Sequence, residues 1–151
     1  MAQAFTLQPL LELMQTRSDE ATRNLGKLIS AEQNARSRLQ MLEDYRAEYA
    51  NRLREESEQG LTRLKLQNYQ DFLARIDEAI AQQRLAVKES EQSTAAGQAQ
   101  WKEQNKRLKA IDTLSQRHDA RERVRDGKLE QKLQDEFSSR KYTVGSQSEE
   151  K

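Results

Sequence analysis

The first third of the chain places apolar residues at two positions in every seven. One row, with members seven residues apart, is apolar or aromatic throughout: Leu7, Met14, Ala21, Leu28, Ala35, Leu42 and Tyr49. A second row, four residues on, alternates leucine with polar residues: Leu11, Ser18, Leu25, Glu32, Leu39, Arg46 and Leu53. Rows separated by four and three residues form one stripe on an α-helix, whereas a half-buried strand alternates by two. The pattern predicts a helix from about residue 7 to about 58, with Thr6 as its N-cap.

The heptad breaks at Gly60, and this break predicts a turn over about 58–62. Glycine can end a helix in the left-handed backbone conformation, and Thr62 can cap the helix that follows. Because so short a connection makes neighbouring helices antiparallel, the chain should fold back on itself here.

A second periodic segment predicts a helix from about 62 to about 140. Its two rows are Leu73, Ile80, Val87, Thr94, Trp101, Leu108 and Tyr69, Ile76, Gln83, Ser90, Gly97, Gln104, Ile111. Small residues prevail at Ser90–Gly97, where we expect close approach, little burial and mobility. Folding about Gly60 pairs Tyr49 with the region of Phe72. The predicted fold is all-α, a long antiparallel two-helix coiled-coil hairpin over 1–141. The second helix extends beyond the first as a charged end, and 142–151 is expected to be a disordered tail.

Charge and composition narrow the class of protein. The 26 basic and 25 acidic side chains leave a net charge of +1, without the basic surplus that nucleic-acid binding usually requires. There is no cysteine, so disulfide and thiolate chemistry are excluded. No apolar run reaches the ~18–20 residues of a membrane span, and the N-terminus does not resemble a secretory signal. These features are typical of a cytoplasmic protein.

Side chains that could support catalysis are sparse. The only histidine, His118, lies among charged residues, and we expect it to be a solvated residue. No glycine loop that would bind a nucleotide is present, and carboxylates alternate with lysine and arginine as on helix surfaces. The sequence therefore predicts no catalytic, cofactor or metal site, and no enzyme. A local basic run is expected to be a solvated face rather than a contact to an acidic partner: Arg117, Arg121, Arg123, Arg125 and Lys128.

Aromatic residues gather on both sides of the predicted turn. Tyr45 and Tyr49 lie four residues apart on the first helix, and a stripe on the second consists of Phe72, Ile76, Ala79 and Gln83. An exposed aromatic stripe is a candidate docking surface. The same residues could instead simply tighten the end of the hairpin, and periodicity alone leaves both interpretations open.

Several stretches in order resemble one known family. They are QMLEDYRAEY (Gln40–Tyr49), the turn near Gly60, NYQDFLARIDEAIAQQR (Asn68–Arg84) and WKEQNKRLKA (Trp101–Ala110). Together they resemble the flagellar export protein FliJ, a soluble component of the flagellar type III export apparatus, and the resemblance covers most of the chain.

The resemblance implies an antiparallel coiled coil similar to the γ-subunit stalk of rotary ATPases. Such a protein would dock in the central hole of the hexameric export ATPase (FliI-like) and contact the cytoplasmic domain of the membrane export gate (FlhA-like). It would also recycle empty substrate chaperones. The implied location is the cytoplasm, peripherally associated with the inner membrane at the flagellar base. No cofactor, nucleic acid or small-molecule substrate is implied.

The resemblance also implies binding surfaces. The gate-facing surface would consist of Leu42, Tyr45, Tyr49, Phe72, Ile76, Ala79 and Gln83. Family members often carry histidine at the position of Gln83, so this chain departs from the pattern there. The ATPase-facing part would lie near Leu7–Leu28 and Trp101–Leu114, without assigned residues. Three alternatives are an equivalent stalk protein of a virulence type III secretion system, a generic homodimeric coiled-coil scaffold, and an amphipathic helix on a membrane surface.

Overall fold

Two long helices make up almost all of the protein. The structure, a computed structural model, describes residues 3–149, with side chains up to residue 145. Helix α1 is Gln8–Gln59 and helix α2 is Arg63–Glu149, and no strand occurs within 3–149. The two helices pack against each other in antiparallel pairing, which confirms the predicted all-α hairpin.

The connection between the helices has the predicted chemistry. Gly60 has a φ of 99°, a left-handed conformation that suits glycine. Its N–H donates to the carbonyl of Ser57 at 3.4 Å. On the other side, the hydroxyl of Thr62 accepts a hydrogen bond from the N–H of Lys65 at 3.3 Å. Because the first N–H groups of a helix have no partner within the helix, this contact makes Thr62 the N-cap of α2.

One compact unit, Ser18–Glu103, contains the turn and is called the loop unit. Hydrogen bonds across it fix an antiparallel register. The amide of Gln83 donates to the Ala35 carbonyl at 2.9 Å, and the hydroxyl of Thr94 donates to the Leu28 carbonyl at 3.3 Å. The indole N–H of Trp101 donates to the Thr22 hydroxyl at 3.0 Å. As the position on α2 advances, its partner on α1 moves back.

The seam of the loop unit follows the predicted rows. Ile76, Ile80 and Val87 are the most buried apolar side chains, with 6%, 5% and 8% exposure. Gly97 is also buried, and a Cβ added there would lie 2.5 Å from Cδ1 of Leu28. Only glycine therefore admits the leucine so closely, which confirms the close approach expected at Ser90–Gly97.

A second compact unit, the terminal unit, comprises residues 3–17 and 104–149 of the described chain. Met14 is its buried apolar centre, at 7% exposure, and Glu122 is buried at 8%. Every described side chain from 123 to 145 is exposed, and we call residues 126–142 of α2 the unpaired segment.

Helix α2 continues to Glu149, into the stretch 142–151 for which the composition predicts disorder. Tyr142 and Val144 are 82% and 70% exposed, so these two side chains contribute little packing. Disorder of this tail in solution stays a prediction, and residues 150–151 lie outside the described residues.

Candidate protein-binding site

A cluster of three aromatic rings closes the turn end of the loop unit. The Tyr49 ring lies 4.3 Å from the Phe72 ring and 6.3 Å from the Tyr69 ring, centroid to centroid. The guanidinium of Arg52 lies 5.4 Å from the Tyr49 centroid, in the range of a cation–π contact. Tyr49 therefore packs against α2 as predicted, and much of its surface is used within the hairpin.

The phenol of Tyr69 has a shifted pKa. Partial burial, with a hydrogen bond to Glu56, raises the pKa of the Tyr69 phenol above its usual value. Burial disfavours the phenolate, and so does the neighbouring carboxylate. The phenol therefore remains a hydrogen-bond donor at any physiological pH.

The seven residues of the predicted gate-facing surface differ in their exposure. Ile76 is buried in the seam, and five are half-buried: Leu42, Tyr49, Phe72, Ala79 and Gln83. Only Tyr45 is largely free, at 49% exposure, and its ring lies 5.4 Å from the Tyr49 ring. The Gln83 amide donates to a backbone carbonyl of α1, so it serves the hairpin's own register.

Tyr45 lies at the edge of a shallow groove of about 370 Å³ on the loop unit. The groove is lined by Arg38, Met41, Leu42, Tyr45 and Gln83. Met41 is 68% exposed and was not among the residues that the sequence predicted for a binding surface. The sequence feature that could have indicated Met41 is its four-residue spacing from Tyr45, which places both side chains on one face of α1. An exposed methionine beside an exposed tyrosine is an adaptable apolar surface for a partner.

Exposed ion pairs link the two helices of the loop unit. The Arg46 guanidinium contacts the Asp77 carboxylate, Arg84 lies 3.5 Å from Glu43, and Arg36 lies 2.6 Å from Glu91. The hydrogen bond from Arg46 lowers the pKa of Asp77, and the same bond raises the pKa of Arg46. These pairs are solvent-exposed, so each contributes little to stability and mainly fixes register.

The N-terminal segment of the terminal unit contacts α2 through His118. The imidazole Nε2 lies 2.8 Å from the Gln3 carbonyl, and the ring lies 5.5 Å from the Phe5 ring. The N–H of Gln3 donates to the Glu122 carboxylate at 3.3 Å. His118 is thus half-buried against the segment before α1, a contact that the expectation of a solvated residue did not include. That segment has no heptad, so its position could not be inferred from periodicity.

The basic run of the terminal unit lies on the surface. Arg121, Arg123, Arg125 and Lys128 are all exposed, and Arg125 lies 3.5 Å from the Glu122 carboxylate. Among the residues that the structure describes, no group of three or more histidine, cysteine, aspartate or glutamate side chains could hold a metal ion. No described helix is long and apolar enough to cross a membrane.

Comparison with known proteins identifies the family. The sequence model of the family described as Flagellar FliJ protein matches residues 3–146. The chain belongs to the FliJ family. The Flagellar FliJ protein of Salmonella typhi is 34% identical over 140 residues, covering 93% of this chain and 95% of that protein. The Flagellar FliJ protein of Escherichia coli (strain K12) is 33% identical over the same coverage.

Membership of the FliJ family makes this chain a component of flagellar protein export. The family is not one of enzymes, and the described residues show no catalytic arrangement. The relatives match along almost the whole chain, so both units fall within the family's extent.

Proposed function

We propose that this chain is a stalk-like component of the flagellar type III export apparatus that binds two partners. One is the hexameric export ATPase, and the other is the cytoplasmic domain of the membrane export gate. It also assists substrate chaperones, and it acts in the cytoplasm, peripherally at the inner membrane of the flagellar base. The observation that carries the proposal is the exposed Tyr45–Met41 surface on a hairpin whose seam holds it in place.

The gate contact centres on Tyr45 and Met41. Tyrosine is enriched among residues that dominate binding energy, because it buries a large rigid surface with a polar tip. Leu42 and Gln83, both half-buried, also line the groove. Arg38 adds a charge at the rim, where it influences association rate and partner choice more than affinity. Ile76 is buried in the seam and does not offer its own side chain to the gate.

Binding of the purified cytoplasmic domain of the gate protein tests this surface. We expect Tyr45→Ala and Met41→Ala each to weaken binding by about tenfold or more, since truncation at a central contact costs ~2 kcal/mol. Leu85→Ala is the matched control, because Leu85 is 63% exposed and does not line the groove. All three variants should keep the helix content of the parent. Equal binding by the parent and both groove variants would overturn the assignment.

The ATPase contact is tested by hydrolysis. ATP turnover belongs to the ATPase, and a stalk can change it only by binding some states of the ring better than others. We expect this chain to raise the turnover of the cognate hexamer as the stoichiometric ratio increases. The groove variant Tyr45→Ala should raise turnover equally, because the gate surface is not used there. No change in turnover at any ratio, with both proteins folded, would contradict the stalk proposal.

A further inference from the structure

The apolar stripe of α2 continues past the point where its partner ends. In the terminal unit, Leu108 and Ile111 are half-buried, and Glu122 is the last buried residue of the stripe. Beyond it, the same face carries Leu129, Leu133 and Phe137, which are 53%, 57% and 68% exposed. No side chain of the described residues covers this face, since Leu129, Leu133 and Phe137 are each more than half exposed. The unpaired segment therefore has the apolar stripe of a coiled-coil helix, with that stripe exposed.

The order of residues along this face is symmetric about Leu133. Leu129 comes four residues before it and Phe137 four after, while Asp126 comes seven before and Arg140 seven after. At 3.6 residues per turn, these five lie within an arc of about 80°. If the helix direction is reversed about Leu133, Leu129 and Phe137 exchange places, and so do the acidic Asp126 and the basic Arg140.

We propose that the unpaired segment binds the unpaired segment of a second copy of this chain, in antiparallel orientation. Leu133 then meets its own copy, Leu129 meets Phe137 of the second copy, and Asp126 meets Arg140 of the second copy. Both copies present the same surface, as a two-fold interface requires. A parallel arrangement would instead put each Asp126 against another Asp126, and like charges directly opposite are destabilising.

Two observations favour a second copy over another partner. The face is continuous with the seam that already pairs the helices of the terminal unit, so the same packing can extend along it. The edges of the stripe also match, because Lys132 and Glu136 lie on the same side and face each other's copies when the helices are antiparallel. With only three apolar residues on each side, the dimer should be weak and depend on concentration. This self-association goes beyond the proposed export function and does not depend on it.

Sedimentation equilibrium of the full chain tests the proposal. We expect the mass to rise with concentration from 17.6 kDa toward twice that value. Leu133→Glu should keep the mass at that of a single chain at every concentration. Val124→Glu is the matched control, because Val124 is 58% exposed and lies on the opposite side of α2. A parent that stays at single-chain mass at every concentration would overturn the proposal, and so would a dimer that survives Leu133→Glu.

A charge exchange tests the pairing itself. Asp126→Arg and Arg140→Asp should each weaken the dimer about tenfold, since each turns both symmetric pairs into like-charge pairs. The double variant should restore the parental dimer. Singles that leave the dimer unchanged, or a double variant weaker than either, would overturn the antiparallel register. Circular dichroism checks that each variant keeps parental helix content, as expected for exposed positions.

Introduced thiols report orientation independently, because the chain has no cysteine. A disulfide requires the two Cα atoms to lie within about 7 Å of each other. We expect Leu129→Cys mixed with Phe137→Cys to cross-link on oxidation, while Leu129→Cys alone does not. Rapid cross-linking of Leu129→Cys alone would indicate parallel pairing and overturn the proposal. Cross-linking of Val124→Cys at the same rate as the mixture would mark random collision and overturn it as well.

Discussion

Two stretches of the loop unit keep the same seven-residue spacing and fill it in opposite ways. At the aromatic end, the Tyr49 ring packs edge-on against Tyr69 and at a tilt against Phe72, so rings fill the seam. In the small-residue section, Ser90–Gly97, the Leu28 side chain packs directly against Gly97, where no side chain intervenes. The Thr94 hydroxyl donates a hydrogen bond to the α1 backbone. A heptad thus sets which residues face the partner helix, while their volume determines which substitutions the seam tolerates. The aromatic end should suffer from lost volume and the small-residue section from added volume.

The largest effect is expected from Ile76→Ala, which removes volume beside the aromatic end. Ile76 is 6% exposed, so truncation leaves a cavity in the seam and should cost about 3 kcal/mol of unfolding free energy. Urea denaturation followed by circular dichroism measures this cost. Leu85→Ala, at a position 63% exposed, is the control and should cost less than about 1 kcal/mol. Equal losses at the two positions would remove the distinction between seam and surface.

Added volume at Gly97 should be nearly as harmful. Gly97→Leu should lower the free energy of unfolding by about 2 kcal/mol. The added Cβ alone would lie 2.5 Å from Leu28 Cδ1, so the new side chain overpacks the seam. The matched control is Gly26→Leu, a helical position with open space around the added Cβ. That variant should gain roughly 0.5–1 kcal/mol from helix propensity. Stability changes of the same sign at Gly97 and Gly26 would contradict this prediction.

A smaller loss is expected where the turn closes the aromatic end. Gly60 has a φ of 99°, so Gly60→Ala forces a side chain into the left-handed region and should cost about 1 kcal/mol. The change should lower the thermal midpoint while the spectrum of the folded state stays unchanged. Gly127→Ala, with nothing within 4 Å of the added Cβ, should not lower that midpoint. A midpoint unaffected by Gly60→Ala would show that the turn does not hold this conformation.

The smallest effect concerns the ion pair that borders the aromatic end. Because Arg46 lowers the pKa of Asp77 in the folded state, the pair's contribution is present above the ordinary aspartate pKa. It is lost as pH falls through the lowered folded-state pKa. The thermal midpoint of the parent should therefore exceed that of Asp77→Asn slightly at neutral pH, and the difference should vanish in acid. Glu78→Gln, one residue along α2, controls for a general charge effect. A difference that persists unchanged in acid would contradict the pairing.

Periodicity predicted the fold well because a two-helix seam is a local pattern repeated many times. Ile80 and Val87 occupy predicted seam rows and are buried, and Gly60 and Thr62 act at the turn as their chemistry suggested. The same method missed Met41, because an exposed residue one step from a seam row carries no periodic signal. It also did not predict the neighbours of His118, because Gln3 and Phe5 come from the N-terminal segment, which has no heptad.

The candidate site was harder to predict because aromatic residues can serve either the seam or a partner. Tyr45 and Tyr49 are alike in sequence, yet only Tyr45 is largely exposed, since the Tyr49 ring is used by Phe72. The Gln83 amide likewise donates its hydrogen bond to the Ala35 carbonyl, and this contact depends on the register between the helices. Which residues remain available therefore follows from side-chain geometry that a heptad does not encode.

Trp101 offers a consequence for following the protein at work. It is the only tryptophan of the chain, it is half-buried, and its indole bonds the hydroxyl of Thr22 on the other helix. Indole emission shifts to longer wavelength when the ring becomes hydrated. The intrinsic fluorescence of the unlabelled protein should therefore report whether the two helices separate near Trp101 when a partner without tryptophan is added.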